Sequence, residues 1–279
     1  MRRPKTVRGV PGRVARRPPT AGHAAAGKPL AGMTAIVTGS GKNIGRAIAL
    51  ALAQAGANVV VNGSRDRMAL DGVVAAIEQL GARGLAVLAD VGKPADVRRM
   101  VKQAEKHFGS VDIAISNAAV RRKQAFLDIS VAGWKDTLNT NLNSAFYLAQ
   151  AVIPGMAAKG FGRIIHISGV DGFAAHVTER AHNIVSKAGI HGLTKALAKE
   201  FGACGITVNT VAPGAIETER DWSHYMAPAA WRRMRRRQIP LGRIGRVEEI
   251  AAACVYLASD GGSFVSGQVI HVNGGQYMF

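Results

Sequence analysis

The chain has 279 residues, 48% of them hydrophobic and 19% charged, a balance that supplies a full globular core and excludes disorder along the whole length. No apolar run reaches the roughly 18 residues needed to span a bilayer, and two cysteines, Cys204 and Cys254, cannot make a disulfide framework. With 36 Lys and Arg against 18 Asp and Glu, the net charge is +18, which favours anionic partners.

Residues 1–27 are expected to form a disordered basic extension. They are rich in Arg, Pro, Gly and Ala and show no hydrophobic periodicity, and residues 1–30 hold no acid. Such a segment buries too little surface to offset the entropy of ordering it. No apolar core follows the basic start, as a secretory signal requires, and the first serine is Ser40, unlike a Ser-rich transit peptide. A cytoplasmic, reducing setting is the expectation. Residues 28–279 read as one domain, without internal repeats.

From Thr34 onward, short β-branched runs alternate with longer amphipathic stretches. The first predicted strand, Thr34–Thr38, runs into Thr38-Gly39-Ser40-Gly41-Lys42-Asn43-Ile44-Gly45-Arg46 and then an Ala-rich helix, Gly45–Ala55. A glycine-rich turn between a first strand and a helix is the setting for a dinucleotide pyrophosphate. Gly39, Ser40, Lys42, Asn43, Ile44 and Gly45 are its candidate contacts, because glycines let backbone approach closely and the helix start offers free N–H groups. The second strand, Asn58–Asn62, leads to Gly63-Ser64-Arg65. NAD binders carry an acid about 20 residues past the loop, and Gly63 stands there instead. Arg65 and Lys42 suit a 2′-phosphate, so NADP(H) is expected in preference to NAD(H). The competing reading of Arg65 is a solvated surface residue.

A helix over Arg67–Leu80 follows, then a strand, Gly84–Ala89, ending at Asp90-Val91. Next come a helix over Pro94–Phe108, a strand over Ile113–Ser116 and the motif Asn117-Ala118-Ala119. One long helix, Val131–Ala158, contains Asn141. A strand at Arg163–Ser168 precedes a helix at Ala181–Phe201, which carries His182, Asn183 and Lys187. A strand at Thr207–Val211 leads to Pro213-Gly214-Ala215-Ile216-Glu217-Thr218. Residues 232–237 hold five arginines, and a helix at Val247–Ala258 and a strand at Val269–Val272 complete the chain. Strands apolar on both faces and spaced by helices predict an α/β fold, a single Rossmann-type doubly wound parallel sheet with helices on both faces. No cluster has metal-ligand spacing, so no metal is expected.

Taken together, these motifs resemble the short-chain dehydrogenase/reductase family over residues 30–279, and within it the 3-oxoacyl-carrier-protein-reductase-like members. The family loop reads Thr-Gly-x-x-x-Gly-x-Gly. Asn43 replaces the middle glycine, and Asn tolerates left-handed backbone better than most residues. The resemblance implies that Asp90 and Val91 hold adenine and that Asn117 and Ala118 belong to the motif after the fourth strand. It also implies that Pro213, Gly214, Ile216 and Thr218 clamp the nicotinamide amide, that Asn141 supports a proton-relay water, and that Lys187 binds ribose. Family members pair the helices matching Val131–Ala158 and Ala181–Phe201, so a homotetramer or homodimer is implied. Ala188, Gly189 and Gly192 would permit close helix approach, or could face the sheet.

The family protonates the alkoxide with a Tyr four residues before the Lys, on the same helix face. Asn183 stands there. An amide donates a hydrogen bond but does not transfer a proton near neutral pH. The family's serine slot falls on Gly169, and the adjacent Ser168 points to the opposite face of the strand. His182 is the nearest titratable candidate, though five residues before Lys187 is about 140° around an ideal helix. Asp171, His176, Glu179 and Tyr225 are weaker ones.

The expected activity is that of an atypical NADP(H)-dependent oxidoreductase acting on a small carbonyl or alcohol. Asn183 or a water would polarise the oxygen, with Lys187 and Asn141 behind it. The basic flap expected over Asp221–Gln238, together with Arg121-Arg122-Lys123, points to an acidic substrate or acidic carrier. The rival is a catalytically silent NADP-binding subunit or sensor, which the missing Tyr and Ser favour. No membrane partner is expected, and no specific nucleic acid, since charge alone supplies no reading motif.

Overall fold

The computed structural model describes residues 27–175, 177–219 and 227–279. Residues 1–26 of the basic extension, His176, and the first part of the flap with Tyr225 lie outside the described residues.

Seven strands form one sheet: β1 (Thr34–Val37), β2 (Asn58–Gly63), β3 (Gly84–Leu88), β4 (Ile113–Ser116), β5 (Gly162–Ile167), β6 (Ile206–Pro213) and β7 (Val269–Val272). They run in the order β3-β2-β1-β4-β5-β6-β7, every pairing parallel. The order reverses between β1 and β4, and ligands of open α/β sheets bind beyond the carboxyl ends of strands at such a switch point.

Alternation along each strand feeds two cores. Ala35, Val37, Ile113 and Ile115 point into one, packed by Ile48 and Leu52 of α1 (Asn43–Gln54), Leu70 and Ile77 of α2 (Arg67–Gln79) and Leu257 of α8 (Val247–Ala258). Ile36 and Ala114 point into the other, against Met100 of α3 (Pro94–Phe108) and Leu148, Val152 and Met156 of α5 (Ser144–Lys159). No helix among the described residues is long and apolar enough to cross a membrane.

One expectation needs correction. The long helix predicted over Val131–Ala158 is α4 (Val131–Leu138) and α5 joined through a π turn at Asn139–Asn143. The run Asn139-Thr140-Asn141-Leu142-Asn143 is rich in side chains that compete for backbone groups, and Ser144 Oγ donates to Thr140 O at 2.6 Å. The later part of the flap segment, for which no element was predicted, is a helix, α7 (Pro228–Gln238). Proline in its first turn has a preset φ, and Ala, Arg and Met extend helices well.

The remaining long helix is α6 (Ala181–Phe201). Its Gly189 settles one open point: a Cβ there would stand 2.8 Å from Leu142 Cδ2, so it lets α6 approach the π turn within the chain.

Buried histidines make stability pH-dependent. His166 of β5 is fully covered, and neither ring nitrogen has a partner among the described residues. Burial, aided by the Lys187 ammonium, lowers its pKa to about 4. His191 is likewise lowered to about 4, chiefly by burial. The unfolded chain therefore binds more protons between about pH 6.5 and 4, and stability is lost as pH falls through that window. The thermal midpoint should be level above pH 6.5 and drop below it, with a shallower drop in His166→Leu. A midpoint unchanged from pH 7 to 4.5 would contradict this.

Candidate functional site

At the end of β1 the chain turns on Gly39, with φ 62°, and Asn43, with φ 51°. Both lie in the left-handed region that only small or amide residues enter readily. Gly45 cannot carry a side chain, because a Cβ would lie 2.2 Å from Gly39 O. The loop is latched from β4, where Asn117 Nδ2 donates to Thr38 O at 2.9 Å and Gly39 O at 3.0 Å. Thr38 Oγ1 accepts from the N–H groups of Asn117 and Ala118. Asn117 and Ala118 thus shape the loop. Ser40 is also structural, since its hydroxyl donates to Val37 O, accepts from Asn62 N and is fully buried.

No side chain caps α1, and its first turn carries no acid. Its leading N–H groups are left for an anion. Lys42 and Arg65 are exposed beside this turn and the end of β2, and neither has an ion-pair partner among the described residues. Asp66, the next carboxylate along the chain after β2, caps α2 by accepting from Ala69 N at 2.9 Å. Asp90, part-exposed at the end of β3, accepts from Gly92 N at 3.0 Å, and Val91 is buried. This set fits an adenine dinucleotide with a phosphorylated ribose: free N–H groups, two cations and no free carboxylate at the slot.

Beyond the carboxyl ends of β4, β5 and β6 lies a chamber of about 200 Å³. Lys187 and Asn183 share its wall with Ile44, Asn117 and the loop residues Pro213, Gly214, Ile216 and Thr218. Lys187 is buried and its Nζ donates to Ile167 O at 2.8 Å. Burial and the nearby Arg121 guanidinium pull its pKa down to about 8, against the opposing pull of Asp171. Asp171 pairs with Arg121 at 3.8 Å, and both face the chamber. At Gly169 a Cβ would meet nothing closer than 4.0 Å, so the wall there is open and bears no hydroxyl. Ser168, expected to face away, is itself on the chamber wall, with its hydroxyl held by His191 Nε2 at 2.9 Å.

Two candidates stand apart from the chamber. His182 is fully buried, is not on the wall, and has neither ring nitrogen partnered among the described residues. Burial, with Arg122 nearby, lowers its pKa. The helical offset from Lys187 turns it into the protein. Asn141 sits in the π turn, a common location for irregular helix at functional sites, but it is not on the wall either. Its Oδ1 accepts from Val120 N at 2.8 Å, while Nδ2 donates to Val120 O at 2.9 Å and Ser186 Oγ at 3.3 Å. Asn183 Nδ2 reaches the same carbonyl at 3.4 Å. Asn141 therefore fixes the strand-end loop that forms one side of the chamber. Glu179 is spent on an exposed pair with Lys123.

Sequence reasoning missed Arg180 and Gln276, both on the chamber wall, which also holds Trp231 and Arg235 of the basic flap segment it singled out. It also missed the clamp by which Asn43 exchanges two hydrogen bonds with the backbone of Glu219. Arg235 lies in the noticed arginine run, but nothing local separates it from its neighbours.

Comparisons with known proteins place this geometry. A family profile described as enoyl-(acyl carrier protein) reductase matches residues 39–276. The 3-oxoacyl-acyl-carrier-protein reductase of Staphylococcus epidermidis is 39% identical over 247 residues, covering 88% of this chain and 99% of that protein. The enzyme of that name from Escherichia coli is 39% identical over 250 residues, covering 88% and 98%. The crystal structure of a short-chain type dehydrogenase/reductase from Mycobacterium marinum superposes with TM-score 0.83 at 36% identity, over 90% of this chain and 97% of that one.

Proposed function

The chain belongs to the short-chain dehydrogenase/reductase family of oxidoreductases, and on that premise we propose that it is an NADP(H)-dependent reductase of a small carbonyl compound that works without the family's tyrosine. The observation that carries the reading is the buried Lys187 ammonium on the chamber wall, beside Asn183 and the Pro213–Thr218 loop. The uncapped start of α1 would hold the pyrophosphate, Lys42 and Arg65 the 2′-phosphate, Asp90 and Val91 the adenine, and the loop the nicotinamide amide.

Bound there, the nicotinamide supplies or accepts a hydride at C4. The protein must then meet the charge that develops on the carbonyl oxygen. Asn183 donates a hydrogen bond to that oxygen. Lys187 gives up one ammonium proton, which becomes the alcohol O–H, and the neutral amine is reprotonated from water. Arg121 eases the release by making the second positive charge costly, and Asp171 limits the effect. A lysine near pKa 8 is matched to proton transfer close to neutral pH. Asn141 positions the Val120 loop. His182, being walled off, takes no part.

Relatives named as reductases of 3-oxoacyl groups on acyl carrier protein support carbonyl reduction as the reaction class. Exposed Val131, Phe146 and Val185 on α4, α5 and α6 support assembly into a homodimer or homotetramer. One observation favours a second reading, an NADP-binding protein without turnover: neither Gly169 nor Asn183 brings a hydroxyl to the chamber.

The cofactor assignment is tested by nicotinamide fluorescence. Wild-type protein should bind NADPH more tightly than NADH. Joint Lys42→Glu and Arg65→Glu substitution should weaken NADPH by about 100-fold, the loss of two charge-assisted contacts, and leave NADH little changed. Equal affinity for the two coenzymes in the wild type would refute the NADP preference.

A further inference from the structure

The π turn at Asn139–Asn143 grips two separate loops. Asn141 fixes the Val120 loop beside the chamber. Asn139 reaches instead to the turn after β3, where its Nδ2 donates to Gly92 O at 2.8 Å. The Asn139 amide is itself held. Its Oδ1 accepts from Tyr147 Oη of α5 at 3.1 Å and from Asn143 Nδ2 at 3.4 Å. Turning the amide over would set oxygen against Gly92 O and nitrogen against the Asn143 donor, so its partners fix its direction.

Gly92 carries this grip to Asp90. Gly92 N donates to Asp90 Oδ1 at 3.0 Å, a side chain bonded to the backbone two residues on. Asp90 N donates to Asp96 Oδ2 of α3 at 3.0 Å, and Asp90 O accepts from Lys93 N at 2.9 Å. The Asp90 backbone is thus anchored from α3, while the residue that orients its carboxylate is anchored from the π turn. Glycine permits that approach, since a Cβ on Gly92 would stand 2.8 Å from Asn139 Nδ2 and 3.3 Å from Asp90 Oδ1. The other partner of the carboxylate, Lys93 Nζ at 3.9 Å, forms an exposed pair, and such pairs orient a side chain weakly.

On the reading that Asp90 and Val91 receive the adenine, we propose that Asn139 is a positioning residue for the cofactor: through Gly92 it aims the Asp90 carboxylate at the exocyclic amine of the base, and so sets a preference for adenine over a purine with oxygen at that place. A carboxylate accepts from an amine N–H in a charge-assisted bond, whereas a carbonyl oxygen there would face it acceptor to acceptor. Hydrogen bonds weaken steeply with distance and angle, so the aim of the carboxylate decides the discrimination.

The test is binding of NADPH and of its hypoxanthine analogue to the full chain, followed by nicotinamide fluorescence. Wild-type protein should bind NADPH about tenfold more tightly than the analogue. Asn139→Ala removes the donor to Gly92 O, and Gly92→Ala pushes the amide aside. Each should bring the two coenzymes within about twofold of one another, by weakening NADPH. Tyr147→Phe leaves Asn143 to hold the amide and should shrink the preference less. Joint Lys42→Glu and Arg65→Glu substitution should weaken both coenzymes alike and keep the preference. An Asn139 that merely stabilised the fold would also weaken both alike, so the ratio is the readout. Should Gly92→Ala fail to fold, Asn139→Ala alone decides the matter. A preference intact in the Asn139 variant would overturn the positioning role and leave the adenine assignment standing. A wild type indifferent to the base would overturn the assignment of Asp90, and the positioning role with it.

Discussion

Lys187→Met should lower kcat for NADPH-dependent carbonyl reduction by about 10²–10⁴-fold, the usual worth of a positioned acid. Methionine fills similar volume in the wall, so the chamber keeps its shape. It has no proton to give and cannot donate to Ile167 O, which Lys187 Nζ reaches at 2.8 Å. NADPH binding should weaken far less than turnover, because α1, Lys42 and Arg65 are untouched. The same lysine sets the pH profile. With a pKa near 8, it is protonated below that value and neutral above it. Reduction consumes a proton from the ammonium form, so kcat should be level below about pH 8 and fall above it. Alcohol oxidation needs the neutral amine and should rise through the same point. Asn183→Ala should leave this profile in place at a lower rate, because it removes a hydrogen bond and not the proton. A wild-type rate unchanged by Lys187→Met would mean that the proton comes from elsewhere. Tight NADPH binding without turnover of any carbonyl would instead favour the silent reading.

The second large effect belongs to the glycine-rich loop proposed to hold the pyrophosphate. Gly45→Ala should raise the NADPH dissociation constant by about 100-fold or more and lower the thermal midpoint by several degrees. The added Cβ would stand 2.2 Å from Gly39 O and 2.6 Å from Asn117 Nδ2. These are backbone and a latched amide, so no flexible side chain can yield. The turn must open, the Asn117 hydrogen bonds to Thr38 O and Gly39 O must lengthen, and the N–H groups at the start of α1 lose their aim. Gly72→Ala is the contrast. Gly72 sits in α2 with open space where its Cβ would project, so there Ala should be neutral or slightly stabilising. Equal behaviour of the two variants in cofactor titration and thermal melting would refute the steric argument.

Much of the fold is written in local pattern. The parallel sheet was legible because its strands are apolar on both faces, and α3, α6 and α8 carry their predicted bounds because periodic burial begins and ends with them. The glycine-rich turn was legible for reasons that act within a few residues: Gly39 turns at φ 62° and Gly45 leaves room for Gly39 O where a Cβ would collide. That Asn183 and Lys187 share one wall of the chamber could also be read, since four residues is about one helical turn.

What tertiary structure alone decided is where separate segments converge. Ser40 looked like a phosphate contact, but Asn62, 22 positions away, uses its hydroxyl. Asn141 looked like a member of the reaction chamber, but the π turn directs its amide to Val120. Asn43 clamps the backbone of Glu219, 176 positions along the chain. Arg180 and Arg235 line one chamber only because the chain returns to the same sheet edge after β5 and again after β6. Periodicity and turn chemistry report on backbone sterics and burial over roughly one element. A cavity is defined by side chains whose nearest neighbours in space are far apart in sequence, and only the packed sheet and helices bring those together.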